Sequence, residues 1–435
     1  MERNNKSVEK KGLTRRNFIR NTTLAAAGFY IIPGQNSRLK ENADVAITVD
    51  RSTVIGISNF NIGLTHTGQK WEDGNARAVE KAKKLLADGL KYQNQHLMNW
   101  GVENPEPSSG VYNWDSLDAR IQMIRSMQGI PVITLCSAPG WMNTTGEDLP
   151  HQVSPNHWAD ARVKDDHVSD YAELCKKAAL RYPDVKYFQI WNEFKGYWNN
   201  SMNNWDYVRF TDFYNTLYDA VKSVRPDALL GGPYYSFDAI PEPKEWDVID
   251  YWFKNKREAD FACFDGWVAG YPPTGDISEE ERKMNLTDYF GKIAEQFRSR
   301  TGLPIWISEF YGGWSINPQF TAANHASCYL HALLSGVSVA LLWGPAAQEW
   351  NYLFTSTENE YGGEPSPHYE VVKIFNYYFC PGTKLYKTSS SSQDIEVLAS
   401  ATRTFLINKL DKNITISLNG EKLMLKPYEF RLMEM

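Results

Sequence analysis

The sequence has 435 residues, 42% hydrophobic and 23% charged, ordinary globular usage that excludes wholesale disorder and a small disulfide-stapled scaffold. Its formal charge is −6, and the first twenty residues hold seven Lys/Arg against two Asp/Glu, so the rest is more acidic still. An acidic body argues against nucleic acid or anionic lipid as a partner and favours a neutral substrate. Aromatic residues reach 14% of the chain, with 15 Trp, which must either fill a core or form a surface that stacks on ring-shaped ligands.

The N-terminus reads as a targeting segment. Thr14-Arg15-Arg16-Asn17-Phe18-Ile19-Arg20 precedes an apolar run of eleven residues, Thr22 to Ile32, closed by Pro33-Gly34. A bilayer span needs about 20 apolar residues, so no membrane span is expected here or elsewhere in the chain. The pattern resembles a bacterial twin-arginine export signal, which implies the export machinery as a partner during targeting and a periplasmic or secreted destination. Residues 1–45 are therefore set apart from the fold. The five cysteines are scattered, with no CxxC pair, so neither a zinc site nor a disulfide framework is expected.

From Val54 onward, short apolar runs alternate with amphipathic segments. Strands are predicted over Val54–Asn61, Tyr92–Trp100, Ile130–Cys136, Val185–Asn192, Ala228–Gly232, Phe261–Trp267, Leu303–Glu309 and Val337–Trp343. Helices are predicted between them, and after the last over Tyr369–Tyr378. Eight such repeats without a Gly-rich phosphate turn predict a (β/α)8 TIM barrel over residues 46–380. After Cys380-Pro381-Gly382 the pattern becomes a four-serine turn, Ser389–Ser392, and short alternating strands. About 50 residues are too few for a full sandwich, so residues 381–435 predict a small C-terminal β-module. Long irregular stretches follow strands three and eight, on the face where barrel active sites lie.

Two carboxylates stand in comparable places. Glu193 closes the run from Tyr187, Glu309 closes the run from Leu303, and 116 residues separate them. A strand-end Glu can simply cap a helix or pair with a cation. Two of them, on predicted strands four and seven, would face one another across the barrel mouth. That is the requirement of glycosidic bond cleavage, in which one carboxyl protonates the leaving oxygen and the other attacks or steers water. His151, His157, Asp165, Asp166 and His167 share the loop after strand three. Their spacing matches no known ligand pattern, so no metal and no cofactor are expected.

Ile190-Trp191-Asn192-Glu193 and Trp306-Ile307-Ser308-Glu309-Phe310 resemble the acid/base and nucleophile motifs of retaining glycoside hydrolase clan A. Gly110–Asp118, Pro131–Leu135, Pro139-Gly140-Trp141 and Arg181-Tyr182-Pro183 extend the likeness over most of the chain. Within the clan it is most similar to glycoside hydrolase family 39, which includes β-xylosidases and α-L-iduronidases. The resemblance implies Glu193 as acid/base, Glu309 as nucleophile, Asn192 on the sugar 2-hydroxyl and Tyr271 orienting Glu309. The family's His near the end of strand six is missing from Asp265–Tyr271.

Trp100, Trp141, Trp267 and Trp343 fall at or just beyond predicted strand ends and are expected to wall a sugar cleft, with Trp343 as its floor. His66 and Asn99 are candidate hydroxyl partners. Trp71, Trp205, Trp246 and Trp252 lie beside helices and are expected to pack. The reading that emerges is a retaining glycosidase on a carbohydrate substrate, exo-acting and β-xylosidase-like. The alternatives are an endo-acting mannanase, glucanase or xylanase of the same clan, or a non-catalytic glycan-binding barrel.

Overall fold

Seventeen strands are described. β1 (Val45–Ile57) precedes the barrel. Parallel strands β2 (Asn61–Thr65), β3 (Tyr92–His96), β4 (Ile130–Leu135), β5 (Tyr187–Ile190), β8 (Leu229–Phe237), β9 (Phe261–Trp267), β10 (Ile305–Tyr311) and β11 (Val337–Trp343) close into an eight-membered barrel with helices outside. A small hairpin, β6 (Trp198–Asn199) and β7 (Asn204–Trp205), interrupts the fourth unit. The computed structural model describes residues 44–68, 70–148, 161–237, 241–268, 278–313, 315–346 and 352–434. Among them, no helix is long and apolar enough to cross a membrane.

Side chains of a barrel strand alternate between interior and helix layer, so the interior is built in tiers. The lowest tier is aromatic. Trp306 stacks on Phe261 at 4.4 Å and meets Tyr187 at 5.2 Å and Tyr92 at 5.4 Å. Val132, Val339 and Leu341 complete this buried plug. The next tier is polar. Asn94 donates to Thr65, Thr134 to Asn94, Gln189 to Thr134, and Ser308 to Gln189. Buried polar groups are tolerated when paired in this way. The uppermost tier holds His96, Asp265, Glu309 and Trp343, and two packed tiers beneath it fix their positions.

The first strand differs from its expected position. Val54–Asn61 is more apolar than Asn61–Thr65, but Val54 and Ile57 are exposed and belong to β1. The barrel strand is the polar stretch, because Asn61 and Thr65 serve the barrel interior. β1 instead pairs antiparallel with β12 (Lys384–Ser390) and parallel with β15 (Ile414–Leu418). The expected four-serine turn is therefore partly strand, since Ser389 and Ser390 end β12.

With β1 recruited, the tail does form two facing sheets. One is β12-β1-β15-β16, with β16 at Glu421–Leu425. The other is β13 (Ile395–Ala399), β14 (Arg403–Asn408) and β17 (Phe430–Glu434). Val45, Ile47, Ile395, Val397, Leu406 and Ile416 are buried between them. The alternate face of β14 turns to the barrel, where Phe405 meets Phe375 and Phe379 of the last helix, Pro367–Tyr378, and its end.

Candidate functional site

The chain leaves β5 through a run of left-handed residues: Trp191, Glu193 and Phe194 have φ of 65°, 49° and 54°. Non-glycine residues adopt such values only where the surroundings enforce them. Here the enforcement is visible. The Trp191 ring is buried among Tyr171, Phe213 and Tyr197, and its Nε1–H donates to the Lys195 carbonyl at 2.9 Å. The Glu193 N–H donates to the Tyr234 carbonyl at 3.0 Å. The loop is thus pinned at both sides, and Asn192 and Glu193 are turned into the barrel mouth. Trp191→Ala should cost about 3–5 kcal/mol of stability by emptying that pocket, measured by urea unfolding against wild type.

Glu309 lies opposite, 4% exposed, on a β10 segment whose register slips between Ile307 and Phe310. Its Oε1 accepts from Tyr234 Oη at 2.7 Å and from Asn192 Nδ2 at 2.9 Å; its Oε2 accepts from Tyr311 Oη at 3.0 Å. His96 Nε2 is 3.9 Å from Oε1. Tyr234 reaches this position because β8 bulges between Pro233 and Tyr235, where Tyr234 has φ 55°. Asp265, 1% exposed, is paired in register with Glu309. Oxygens of Glu193, Asp265 and Glu309 lie within 4.8 Å of one another. The Lys195 ammonium joins them, bonded to Glu193 Oε2 and Asn192 Oδ1. A divalent cation could bridge oxygens at that spacing, but Lys195 already supplies compensating charge.

The electrostatics follow from burial. Desolvation, then the facing charge of Glu193, pushes the Glu309 carboxyl up to about 7, against Lys195 and the two tyrosine hydroxyls. Burial, then Glu193, also raises Asp265 well above the carboxylate range. Burial, then the Lys195 charge, drives His96 down to about 3, so it is neutral. Glu309 and Asp265 therefore both hold protons to higher pH than ordinary carboxylates.

Several expected site residues meet here. Glu193, Glu309 and Asn192 are in one cluster. Trp343 stands edge-on to Trp100 at 4.9 Å and near His96 and Tyr311, at 6.1 and 5.9 Å. Others are engaged elsewhere. Trp141 donates to the Glu106 carbonyl at 2.8 Å and packs on His167, so its ring serves the loops. His66 bonds Gln93 at 3.0 Å and stacks on Trp71. Asn99 donates to Ser137 at 2.9 Å within a buried turn. Tyr271 and the Trp267 side chain lie outside what is described, as do His151 and His157. Among the described residues, the hydroxyls on Glu309 come from Tyr234 and Tyr311. Sequence reading missed both, along with Asp265, Lys195 and His96. Only Lys195, two residues past Glu193, left a local hint.

This geometry agrees with an independent comparison of the sequence. The family model described as glycosyl hydrolases family 39 matches residues 60–417. The chain belongs to glycosyl hydrolases family 39. It is accordingly a glycoside hydrolase, and the non-catalytic reading is set aside. No curated protein matches it. Solved structures similar to this family 39 chain share its fold at low identity. A conserved exported protein from Bacteroides fragilis has 13% identity and a TM-score of 0.64, with 90% of this chain and 100% of that one covered. The catalytic domain of a family 30 xylanase C from Talaromyces cellulolyticus has 17% identity and a TM-score of 0.58, covering 86% and 89%. A monomeric β-xylosidase from Caulobacter crescentus has 15% identity and a TM-score of 0.56, covering 85% and 76%.

Proposed function

We propose that this family 39 enzyme is a retaining, exo-acting glycosidase in which Glu193 is the acid/base and Glu309 the nucleophile. The observation that carries the reading is that a carboxylate oxygen of Glu193 lies within 4.8 Å of one of Glu309. Retention uses a spacing of about 5–5.5 Å, whereas inversion needs about 6.5–9.5 Å to admit a water. In the first step Glu309 attacks the anomeric carbon while Glu193 protonates the departing oxygen. In the second, Glu193 takes a proton from the water that releases the glycosyl ester. Asn192, fixed between Glu309 and Lys195, is placed to meet the 2-hydroxyl. Trp343 and Trp100 offer the apolar surface on which a sugar ring packs.

Exo action is supported by the stretch after β11. It folds back on the first loop, with Thr357 donating to the Trp71 carbonyl at 2.6 Å and Phe354 packed edge-on to Trp71 at 5.5 Å. Such a wall would close one end of a cleft. Early release of a single small sugar is expected, and early mixed oligomers would establish endo action instead. The twin-arginine segment, outside the described residues, supports export.

The cluster also bears on the substrate. Three carboxyls meet one ammonium, which is already bonded to Glu193. A uronic acid would bring a further carboxylate against this acidic cluster, and juxtaposed like charges cost several kcal/mol. A panel of aryl glycosides varied by sugar and anomer tests this. Neutral glycosides should exceed the matching uronides in kcat/KM by at least ~10²-fold. Equal rates would overturn the neutral-substrate reading, and no cleavage of any member would overturn the glycosidase assignment.

A further inference from the structure

Asp265 needs an explanation that the two-glutamate mechanism does not give. It sits on β9 in register with Ser236 on β8 and Glu309 on β10, facing the centre of the site. It is almost fully buried, and its Oδ2 accepts no hydrogen bond among the described residues. The group it meets is the carboxyl of Glu193, within 4.8 Å. Two ionised carboxylates buried at that distance repel, which favours one proton held on the pair. Glu193 has an opposing neighbour. The Lys195 ammonium, bonded to it, favours its ionised form, the wrong state for a general acid.

We propose that Asp265 is a positioning residue that shares one proton with Glu193, holding Glu193 in its acid form against the pull of Lys195. The inference rests on the role proposed for Glu193. The charged and titratable groups around the pair are Glu309, Lys195, Tyr234, Tyr311, His96 and Cys136. Burial, then the charge of Glu193 and a hydrogen bond with it, raises Asp265, which keeps a proton on the pair. The arrangement sets opposite signs for two substitutions. Asp265→Asn removes one ionisable partner and puts an amide donor beside Glu193, so Glu193 loses its proton at lower pH. Lys195→Met removes the opposing charge, so Glu193 keeps its proton to higher pH.

The test is the pH profile of kcat/KM for both variants, on one substrate with a poor leaving group and one dinitrophenyl glycoside. For Asp265→Asn the basic limb should move down by at least one pH unit. At pH 7 its loss should be at least tenfold greater on the poor leaving group, which needs protonation. For Lys195→Met the basic limb should move up. An unmoved limb with equal losses on both substrates would mean that Asp265 only packs, and would overturn the proposal. A second readout needs no turnover. A carboxyl raised in the folded state contributes stability that is lost as pH rises above its unfolded value of about 3.9. The Tm of Asp265→Asn relative to wild type should therefore increase between pH 5 and pH 8. A pH-independent difference would refute the shared proton even if the wild type cleaves no glycoside, the separate result that would refute the glycosidase reading.

Discussion

Glu309→Ala should lose turnover by a factor on the order of 10⁴ or more on every substrate, because in the proposed mechanism Glu309 forms the glycosyl ester. The loss should not reflect unfolding. Glu309 is a nearly buried carboxyl whose ionisation is opposed by burial and by Glu193, so its removal relieves an unfavourable charge. The variant should unfold at a Tm no lower than wild type at pH 7. The same burial predicts the acid limb of the wild-type profile. A nucleophile must be ionised, and Glu309 is raised to about 7, so kcat/KM should fall as pH drops through a limb well above the ordinary glutamate value of about 4.3.

Glu193→Ala should behave differently according to the leaving group. General acid catalysis contributes about 10²–10⁴-fold, and that factor should vanish on alkyl glycosides or natural oligosaccharides. A dinitrophenolate leaves without protonation, so formation of the glycosyl enzyme should survive, and the slow step becomes its hydrolysis. Added azide, occupying the space vacated by the carboxylate, should speed that step and give a glycosyl azide of retained configuration. Full activity on a natural glycan, or equal losses on all leaving groups, would remove Glu193 from the acid/base role.

These expectations stand on parts of the molecule that were unequally legible in the sequence. Phe261–Trp267 and Val337–Trp343 were read to their observed bounds because they are mostly apolar runs between helices. Asn61–Thr65 was hidden because its barrel-facing positions are polar, and the apolar Val54–Ile57 beside it drew the assignment. β12 was hidden by serines, which carry little strand preference; pairing with β1, more than 300 residues earlier, holds it extended. In the site, Glu193 and Glu309 were readable because each closes an expected strand within a recognisable motif. Asp265, Tyr234 and Tyr311 were not. Their meeting depends on the register of β8, β9 and β10 and on one bulge, which no local pattern encodes. The aromatic excess divides in the same way. Trp306 plugs the barrel, Trp191 pins the Glu193 loop and Trp252 packs on Tyr214, while Trp343 and Trp100 line the mouth.

The central claim is that Glu309 forms a covalent glycosyl ester with the substrate. It is tested most directly by incubating the enzyme with a 2-deoxy-2-fluoro glycoside of the preferred sugar bearing a dinitrophenyl leaving group, then locating the adduct by peptide mass spectrometry. The account predicts one equivalent of fluoroglycosyl on the peptide containing Glu309, with loss of activity in step and none in Glu309→Ala. A label on another carboxylate, or inactivation absent while the natural product emerges with inverted configuration, would contradict it.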